Sequence, residues 1–66
     1  MIDEELIVLE YKDYIGSAEY DEQEELWYGK VCNSPVTIRY EGDTLQEMIE
    51  DFHNAVDEYL LNLNNI

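Results

Sequence analysis

The chain has 66 residues, and its 17 acidic residues against 3 Lys and Arg give a formal net charge of −14 at pH 7. We expect residues 1–66 to form one domain with a single thin core, too small to enclose a cofactor, which argues against a large-pocket enzyme. Phosphate groups repel so acidic a surface, which argues against direct binding of nucleic acids or anionic membranes.

The composition also predicts a folded protein in a reducing compartment. Hydrophobic residues make up 45% of the chain and fall in periodic runs, which is typical of a packed domain rather than a disordered acidic tail. Cys32 is the only cysteine, so no internal disulfide can form. The first five residues carry acids where a signal peptide needs a basic segment, and the apolar run at 6–9 is far shorter than the roughly 20 residues of a membrane span. We therefore expect a cytoplasmic protein without a membrane partner.

Up to about residue 43, the apolar residues alternate as they do in β-strands. We predict strands at about 6–20, 26–32 and 36–41. The acidic segment 21–25 separates the first two as a charged hairpin tip, and the turn-forming residues 33–35 separate the last two. Because short loops join antiparallel neighbours, we expect a three-stranded antiparallel meander with two open edges.

Alternation within these strands assigns the side chains to two faces of the sheet. Gly16 and Ala18 make one face shallow enough for a helix to lie close to it. The third strand presents its apolar side chains to the same face: Val36, Ile38 and Tyr40. The opposite face carries Lys30 and Arg39, two of the three cations of the chain.

From Thr44 onward the apolar residues recur with a period of 3.6, which predicts an amphipathic helix at about 44–62. The apolar stripe comprises Leu45, Met48, Ile49, Phe52, Ala55, Val56, Tyr59, Leu60 and Leu63. Thr44 and Glu47 have the spacing of a capping box, in which each side chain accepts a hydrogen bond from a free backbone amide. The predicted fold class is α+β, with three antiparallel strands and one amphipathic helix packed on one face.

Four segments of the chain carry a distinctive combination of residues: YKDYIGSAEYD at 11–21, YGKV at 28–31, YEGDT at 40–44 and DFHNAVDEYL at 51–60. In this order and at these spacings they resemble the amino-terminal domain of HicB-type antitoxins. The resemblance implies a partial RNase H-like fold without nuclease activity, which binds and blocks a small basic ribonuclease toxin of the HicA type. HicB proteins usually continue into a DNA-binding half. The chain ends at Ile66 without it, so we expect no direct contact with operator DNA.

The carboxylates do not predict a metal or catalytic site. The acids that could be assigned to a two-metal nuclease centre point away from one another on the predicted faces: Asp13, Glu19, Glu47 and Asp51. His53 has no nucleophile at a suitable spacing, and we expect it to pair with a nearby carboxylate at the boundary of the apolar stripe. We expect no enzymatic activity, no catalytic residue, no metal and no cofactor.

The predicted helix has an acidic polar face without Lys or Arg, although like charges four residues apart cost roughly 0.2–0.5 kcal/mol per pair. Two interpretations are open: a solvated face that keeps the protein soluble, and a docking surface for a basic protein that otherwise binds nucleic acid. Together with the resemblance, the docking interpretation predicts a partner-binding site at the helix, the hairpin tip and two aromatic anchors. Its residues are Asp21, Glu22, Glu24, Glu25, Trp27, Tyr28, Glu47, Glu50, Asp51, Asp57 and Glu58.

We therefore expect a HicB-like antitoxin that inhibits a HicA-type ribonuclease by occluding its RNA-binding active site. The alternative is a phage or mobile-element inhibitor, such as an anti-CRISPR protein or another nucleic-acid mimic, that uses the same acidic surface against a nucleic-acid-binding complex. A third interpretation is a structural module that forms a homo-oligomer through its open sheet edges.

Overall fold

The computed structural model describes residues 7–64, which form a four-stranded antiparallel sheet and one helix. The elements are β1 (Ile7–Tyr11), β2 (Tyr14–Asp21), β3 (Leu26–Lys30), β4 (Arg39–Gly42) and α1 (Leu45–Asn64). Each strand pairs with its neighbour in the chain, so the sheet order is β1-β2-β3-β4. Helix α1 covers one face of the sheet, mainly over β4. The predicted α+β class is confirmed, with four strands in place of three.

The segment predicted as one strand at 6–20 is a hairpin of two strands, so that prediction was wrong; its first position, residue 6, lies outside the described residues. Lys12 and Asp13 form the turn with φ of 51° and 70°, the left-handed geometry that a two-residue hairpin turn requires. Neither residue is the Gly or Asn that marks such turns in a sequence. Contacts from distant residues hold the turn instead: Asn33 Nδ2 donates to the Asp13 carbonyl at 3.0 Å, and Lys12 Nζ lies 2.8 Å from Asp57 Oδ1.

The strand predicted at 36–41 begins three residues later than expected, at Arg39. The residues before it belong to the loop that starts with the predicted turn, where the Ser34 hydroxyl accepts a hydrogen bond from the Val36 N–H at 3.2 Å. Val36, expected on the apolar face, is consequently 49% exposed.

The strand predicted at 26–32 is regular only as far as Lys30. Val31 follows as an isolated bridge to Gly16, and its N–H donates to the Ile38 carbonyl at 2.9 Å. The pairing therefore continues past the end of β3 in a less regular form.

The core lies between α1 and the β3–β4 half of the sheet. Three side chains of α1 are fully buried: Met48, Phe52 and Val56. They pack on three buried side chains from the sheet side: Val31, Ile38 and Tyr40. Burying a side chain of this kind stabilises the fold by roughly 1.5–3 kcal/mol, so this cluster holds the two layers together. The predicted shallow face is confirmed at Gly16, where a Cβ would overlap the Tyr40 hydroxyl and lie 3.2 Å from Phe52 Cε1.

Helix α1 begins with the predicted capping box. The Glu47 N–H donates to Thr44 Oγ1 at 3.1 Å, and the Glu47 carboxylate accepts from the Asp43 N–H at 3.2 Å, one residue before the cap. The helix extends to Asn64, two residues beyond the prediction, and Leu63 of the apolar stripe is 47% exposed. Within residues 7–64, no helix is both long and apolar enough to cross a membrane.

Candidate partner-binding surface

The five helix acids of the predicted site divide between the outer face of α1 and its two flanks, because successive helical residues turn by about 100°. The outer face carries exposed side chains at Glu47, Glu50, Asn54 and Glu58. Asp51 and Asp57 lie on opposite flanks and are half-buried. The structure therefore brings together three of the five acids as one exposed face.

Asp57 links α1 to the β1–β2 turn. The Tyr11 hydroxyl donates to the Asp57 carboxylate, 3.0 Å from either oxygen, and Lys12 Nζ lies 2.8 Å from Oδ1. The hydrogen bond from Lys12 lowers the pKa of Asp57 more than any other contact does. The same bond raises the pKa of Lys12. This is the single ion pair among residues 7–64. One acid of the predicted site is therefore neutralised within the fold, and this flank of the helix does contact a cation.

His53 stacks on an aromatic ring and does not show the expected pairing with a carboxylate among residues 7–64. Its ring centroid lies 4.1 Å from that of Tyr11, with the planes 23° apart, and 5.7 Å from that of Phe52. The imidazole therefore acts as a packing group at the edge of the core.

Asp51 accepts a hydrogen bond from a backbone amide at the edge of the sheet. Its Oδ2 accepts a hydrogen bond from the Glu41 N–H at 3.0 Å. Glu41 belongs to β4, an outer strand, and a free amide on an outer strand invites pairing with another chain. Asp51 therefore serves the fold, and it makes the β4 edge less available for self-association than the sequence suggests.

The hairpin tip between β2 and β3 contains four acids, of which one holds the turn by hydrogen bonds and three are exposed. Asp21 Oδ1 accepts from the N–H groups of Gln23 at 3.0 Å and Glu24 at 3.3 Å, which stabilises the turn. The side chains of Glu22, Glu24 and Glu25 are exposed. Asp21 thus shapes the tip, while the other three acids present their charges to solvent.

The hairpin tip and the start of α1 lie at the same end of the sheet. Trp27, just after the tip, pairs with Gly42 of β4, and a Cβ on Gly42 would overlap the backbone nitrogen of Met48 in α1. We call this region the acidic end; it comprises the exposed residues Glu22, Glu24, Glu25, Asp43 and Glu47. The structure therefore joins two parts of the predicted site that are about 20 positions apart in the chain, and it adds Asp43.

The two predicted aromatic anchors lie on opposite faces of β3. Trp27 is half-buried against the core on the helix side. Tyr28 is on the other face, where its hydroxyl donates to Glu19 Oε1 at 3.0 Å, a hydrogen bond that raises the pKa of Tyr28. Because the sheet separates the two rings, a single partner surface cannot bury both.

Tyr20 is the aromatic neighbour of Trp27 and is absent from the predicted site. The two residues pair directly across β2 and β3, and their ring centroids are 5.2 Å apart. Tyr20 is 46% exposed. Counting outward by equal steps from the predicted tip at 21–25 pairs Tyr20 with Leu26, one position off, because Asp21 belongs to β2 and is itself the partner of Leu26. Only the shorter tip at 22–25 gives the observed pairing of Tyr20 with Trp27.

The sheet face away from α1 carries the other two cations, as predicted. Lys30 lies directly opposite Arg39 in the β3–β4 register, and both side chains are exposed. They border a surface depression of about 300 Å³, and Arg39, Tyr28 and Gly29 also line a second one of about 470 Å³. In the part of the chain that the structure describes, no three or more His, Cys, Asp or Glu side chains are placed to hold a metal ion.

The chain matches no protein-family model, no curated protein and no solved structure. The likeness to HicB-type antitoxins therefore rests on the four sequence segments, which cover the β1–β2 turn and β2, the end of β3, β4 with the helix cap, and the middle of α1.

Proposed function

We propose that this protein is a HicB-like antitoxin, which binds a small basic ribonuclease of the HicA type and occludes its RNA-binding active site. The observation that carries the proposal is a set of exposed carboxylates at the acidic end and along the outer face of α1. We call this set the acidic surface; its carboxylates are Glu22, Glu24, Glu25, Asp43, Glu47, Glu50 and Glu58, and none of its residues is Lys or Arg. The four HicB-like segments supply the class of partner.

The acidic surface would act first on the rate of encounter. Complementary charge raises association rates from about 10⁵–10⁶ to as much as 10⁸–10⁹ M⁻¹s⁻¹ at low salt, and it directs the partner to the charged side of the protein. A ribonuclease binds RNA phosphates with Lys and Arg, so a docked acidic surface competes with RNA for those same groups. The protein then inhibits by occupying the RNA-binding active site of the toxin, without catalysis and without a cofactor or bound nucleic acid of its own. The compartment that the sequence predicts for this interaction is the cytoplasm.

Co-expression with a HicA-type toxin encoded beside this protein tests the proposal. We expect the protein to restore growth that the toxin arrests, and to purify together with the toxin. Failure of both, with the protein folded and present at a higher level than the toxin, would overturn the assignment. If the protein instead displaced nucleic acid from a different basic complex, it would be an inhibitor of the phage or mobile-element kind.

Charge reversal on the acidic surface tests the location of binding. Asp21, Asp51 and Asp57 are unsuitable because they hold the fold, whereas Glu50 and Glu58 are exposed on the outer face of α1. The double variant E50K/E58K changes the net charge from −14 to −10, because each Glu→Lys change adds two charges. We expect it to weaken toxin binding by about 100-fold at physiological salt and to flatten the dependence on salt.

The matched control is E10K/E19K, which changes the net charge equally but on the opposite face of the sheet. Glu10 and Glu19 are both exposed, and Glu19 accepts a hydrogen bond from the Tyr28 hydroxyl at the surface of the sheet, so circular dichroism checks that this variant is folded. We expect this variant to weaken binding by less than about threefold, because charges beyond a Debye length of about 8 Å are largely screened. Equal weakening by the two variants would mean that net charge alone governs binding, and the proposed surface would be wrong.

A further inference from the structure

Tyr20 and Trp27 form an aromatic pair at the margin of the helix-covered face. Their centroids are 5.2 Å apart with planes at 53°, and Tyr20 is 46% exposed although it lies on the same face as the core. Trp27 is half-buried and packs against the core, so its ring is held in place. The pair therefore offers a rigid aromatic surface to solvent.

Acids border this pair on two sides. The hairpin tip with Glu22, Glu24 and Glu25 connects the strands of Tyr20 and Trp27, and on the other side Trp27 pairs with Gly42, which leads to Asp43 and the first turn of α1. These acids are the acidic end defined above.

All three cations of the chain lie elsewhere. Lys12 is in the turn at the opposite end of β2, roughly 26 Å away for a strand of eight residues, and Lys30 and Arg39 are on the other face of the sheet. The aromatic pair thus has strong negative charge around it and no cation of its own over its rings.

We propose that the Tyr20–Trp27 pair is the anchor point for an arginine side chain of the basic partner; this inference rests on the proposed function in so far as it takes the partner to be a basic protein. A guanidinium is planar, stacks on aromatic rings and is less strongly hydrated than an ammonium, so Arg suits this surface better than Lys. Carboxylates at the rim hold the guanidinium N–H groups, while the rings take its face. Trp, Tyr and Arg are also the residues that dominate binding energy at protein interfaces.

Trp27 is the only tryptophan of the chain, so its fluorescence reports directly on the site. The probes are an oligoarginine peptide and an oligolysine peptide of equal length, and the HicA-type toxin with any tryptophan of its own replaced by Phe. We expect the oligoarginine peptide and the toxin to change the Trp27 emission, and oligoarginine to bind about tenfold more tightly than oligolysine.

Tyr20→Ala and Tyr28→Ala form a matched pair of variants. Both replace an exposed tyrosine of the sheet, 46% and 39% exposed, on opposite faces. We expect Tyr20→Ala to weaken binding of oligoarginine and toxin by about tenfold and to remove the preference for Arg over Lys. Tyr28→Ala should stay within about twofold of the unmodified protein, because Tyr28 lies on the sheet face away from the Tyr20–Trp27 pair and is not part of the proposed surface. Circular dichroism checks that each variant is folded. If Tyr20→Ala were unfolded, Tyr20→Leu would take its place, with the same expectation.

Equal affinity of oligoarginine and oligolysine would overturn the inference, and so would equal binding by the Tyr20 and Tyr28 variants. Toxin binding with unchanged Trp27 emission would also overturn it, but would leave the antitoxin function intact. In contrast, binding of oligoarginine at Trp27 without any binding or rescue of a HicA-type toxin would overturn the proposed function and keep the arginine site. The failures of the two proposals are therefore distinguishable.

Discussion

The hydroxyl of Tyr40 occupies the space that a side chain on Gly16 would need. A Cβ on Gly16 would overlap that oxygen and would lie 3.0 Å from Tyr40 Cζ. The hydroxyl is held in place by two carbonyl oxygens that accept its hydrogen. It lies 2.8 Å from the Ser17 carbonyl oxygen and 3.1 Å from that of Lys30. Tyr40 is only 3% exposed, so its ring has little room to move. The glycine thus allows a buried tyrosine of β4 to reach the backbone of β2 and β3.

Gly16→Ala should therefore lower the free energy of unfolding by about 1–3 kcal/mol, the usual cost of overpacking a core. Urea denaturation followed by circular dichroism measures the change. In the background of Tyr40→Phe, which removes the overlapping oxygen, the same Gly16→Ala change should cost less, giving a coupling energy of about 0.5 kcal/mol or more. Asn54→Ala, at an exposed site of α1, is the control that should add independently to Gly16→Ala. Strict additivity of the Gly16 and Tyr40 changes would contradict this account.

Tyr40 should also give the protein a stability that is lost in alkali. Burial raises the pKa of Tyr40 from 10.0 to about 12, and the charge of the nearby Cys32 adds to the rise. The folded state thus favours the protonated hydroxyl, so this stabilisation is complete below pH 10 and disappears as the pH rises through about 12. The difference in unfolding free energy between the unmodified protein and Tyr40→Phe should shrink over that range. A constant difference from pH 9 to 12 would show that Tyr40 ionises as it does in the unfolded chain.

Asp57 should give the protein a stability that is lost in acid. Its pKa is lowered from 3.8, first by the hydrogen bond from Lys12 and then by that from Tyr11, so its stabilisation is present above pH 3.8 and is lost as the pH falls through the lowered value. Asp57→Asn should be less stable than the unmodified protein at neutral pH, and the two should converge in acid. Urea denaturation from pH 7 down to 2 measures this. Glu50→Gln removes an equal charge from the exposed face of α1 and should not show the same convergence.

The β1–β2 turn should be improvable by a single substitution. Asp13 has φ of 70°, a conformation that costs an L-residue about 1–2 kcal/mol and that glycine adopts freely. Asp13→Gly should therefore raise the free energy of unfolding by roughly 0.5–1 kcal/mol after the greater chain entropy of glycine is allowed for. The bond from Asn33 goes to the backbone carbonyl of residue 13 and survives the change. Asp13→Ala should lower the stability, and a similar effect of Gly and Ala here would contradict the assigned geometry.

The helix was predictable because its apolar period comes from neighbours a few positions apart. Met48, Phe52 and Val56 repeat every four residues, and all three are fully buried. The first hairpin was not predictable, because the groups that hold its turn come from Asn33 and Asp57, which are distant in the chain. The two-residue turn shifts the alternation by one position, because Tyr11 pairs with Tyr14 on the same face of the sheet. The continuous apolar run at 6–9 hides this shift in the sequence, and the turn has no Gly or Asn to mark the reversal.

For the candidate site, the residue types were predictable, but the division between free and engaged acids was not. Asp21, Asp51 and Asp57 lie beside acids that are exposed, such as Glu22, Glu50 and Glu58. Each of the three Asp side chains nevertheless accepts hydrogen bonds from within the fold. Whether a carboxylate is free depends on which amide, hydroxyl or ammonium group the fold brings to it. For Asp51 and Asp57 those groups belong to other elements, whereas Asp21 accepts from amides two and three residues away in its own turn.

From its composition and periodicity alone, the chain can be recognised as one strongly acidic α+β domain with an amphipathic helix and two cations on one face of the sheet. Those properties follow from net charge and from the alternation of neighbours, both of which are local. Folding the chain placed the hairpin tip and the start of α1 at the same end of the sheet, engaged Asp57 with Tyr11 and Lys12, and engaged Asp51 with the Glu41 N–H. These are relations between residues far apart in the chain, and they arise only when the hairpins close and the helix packs on the sheet.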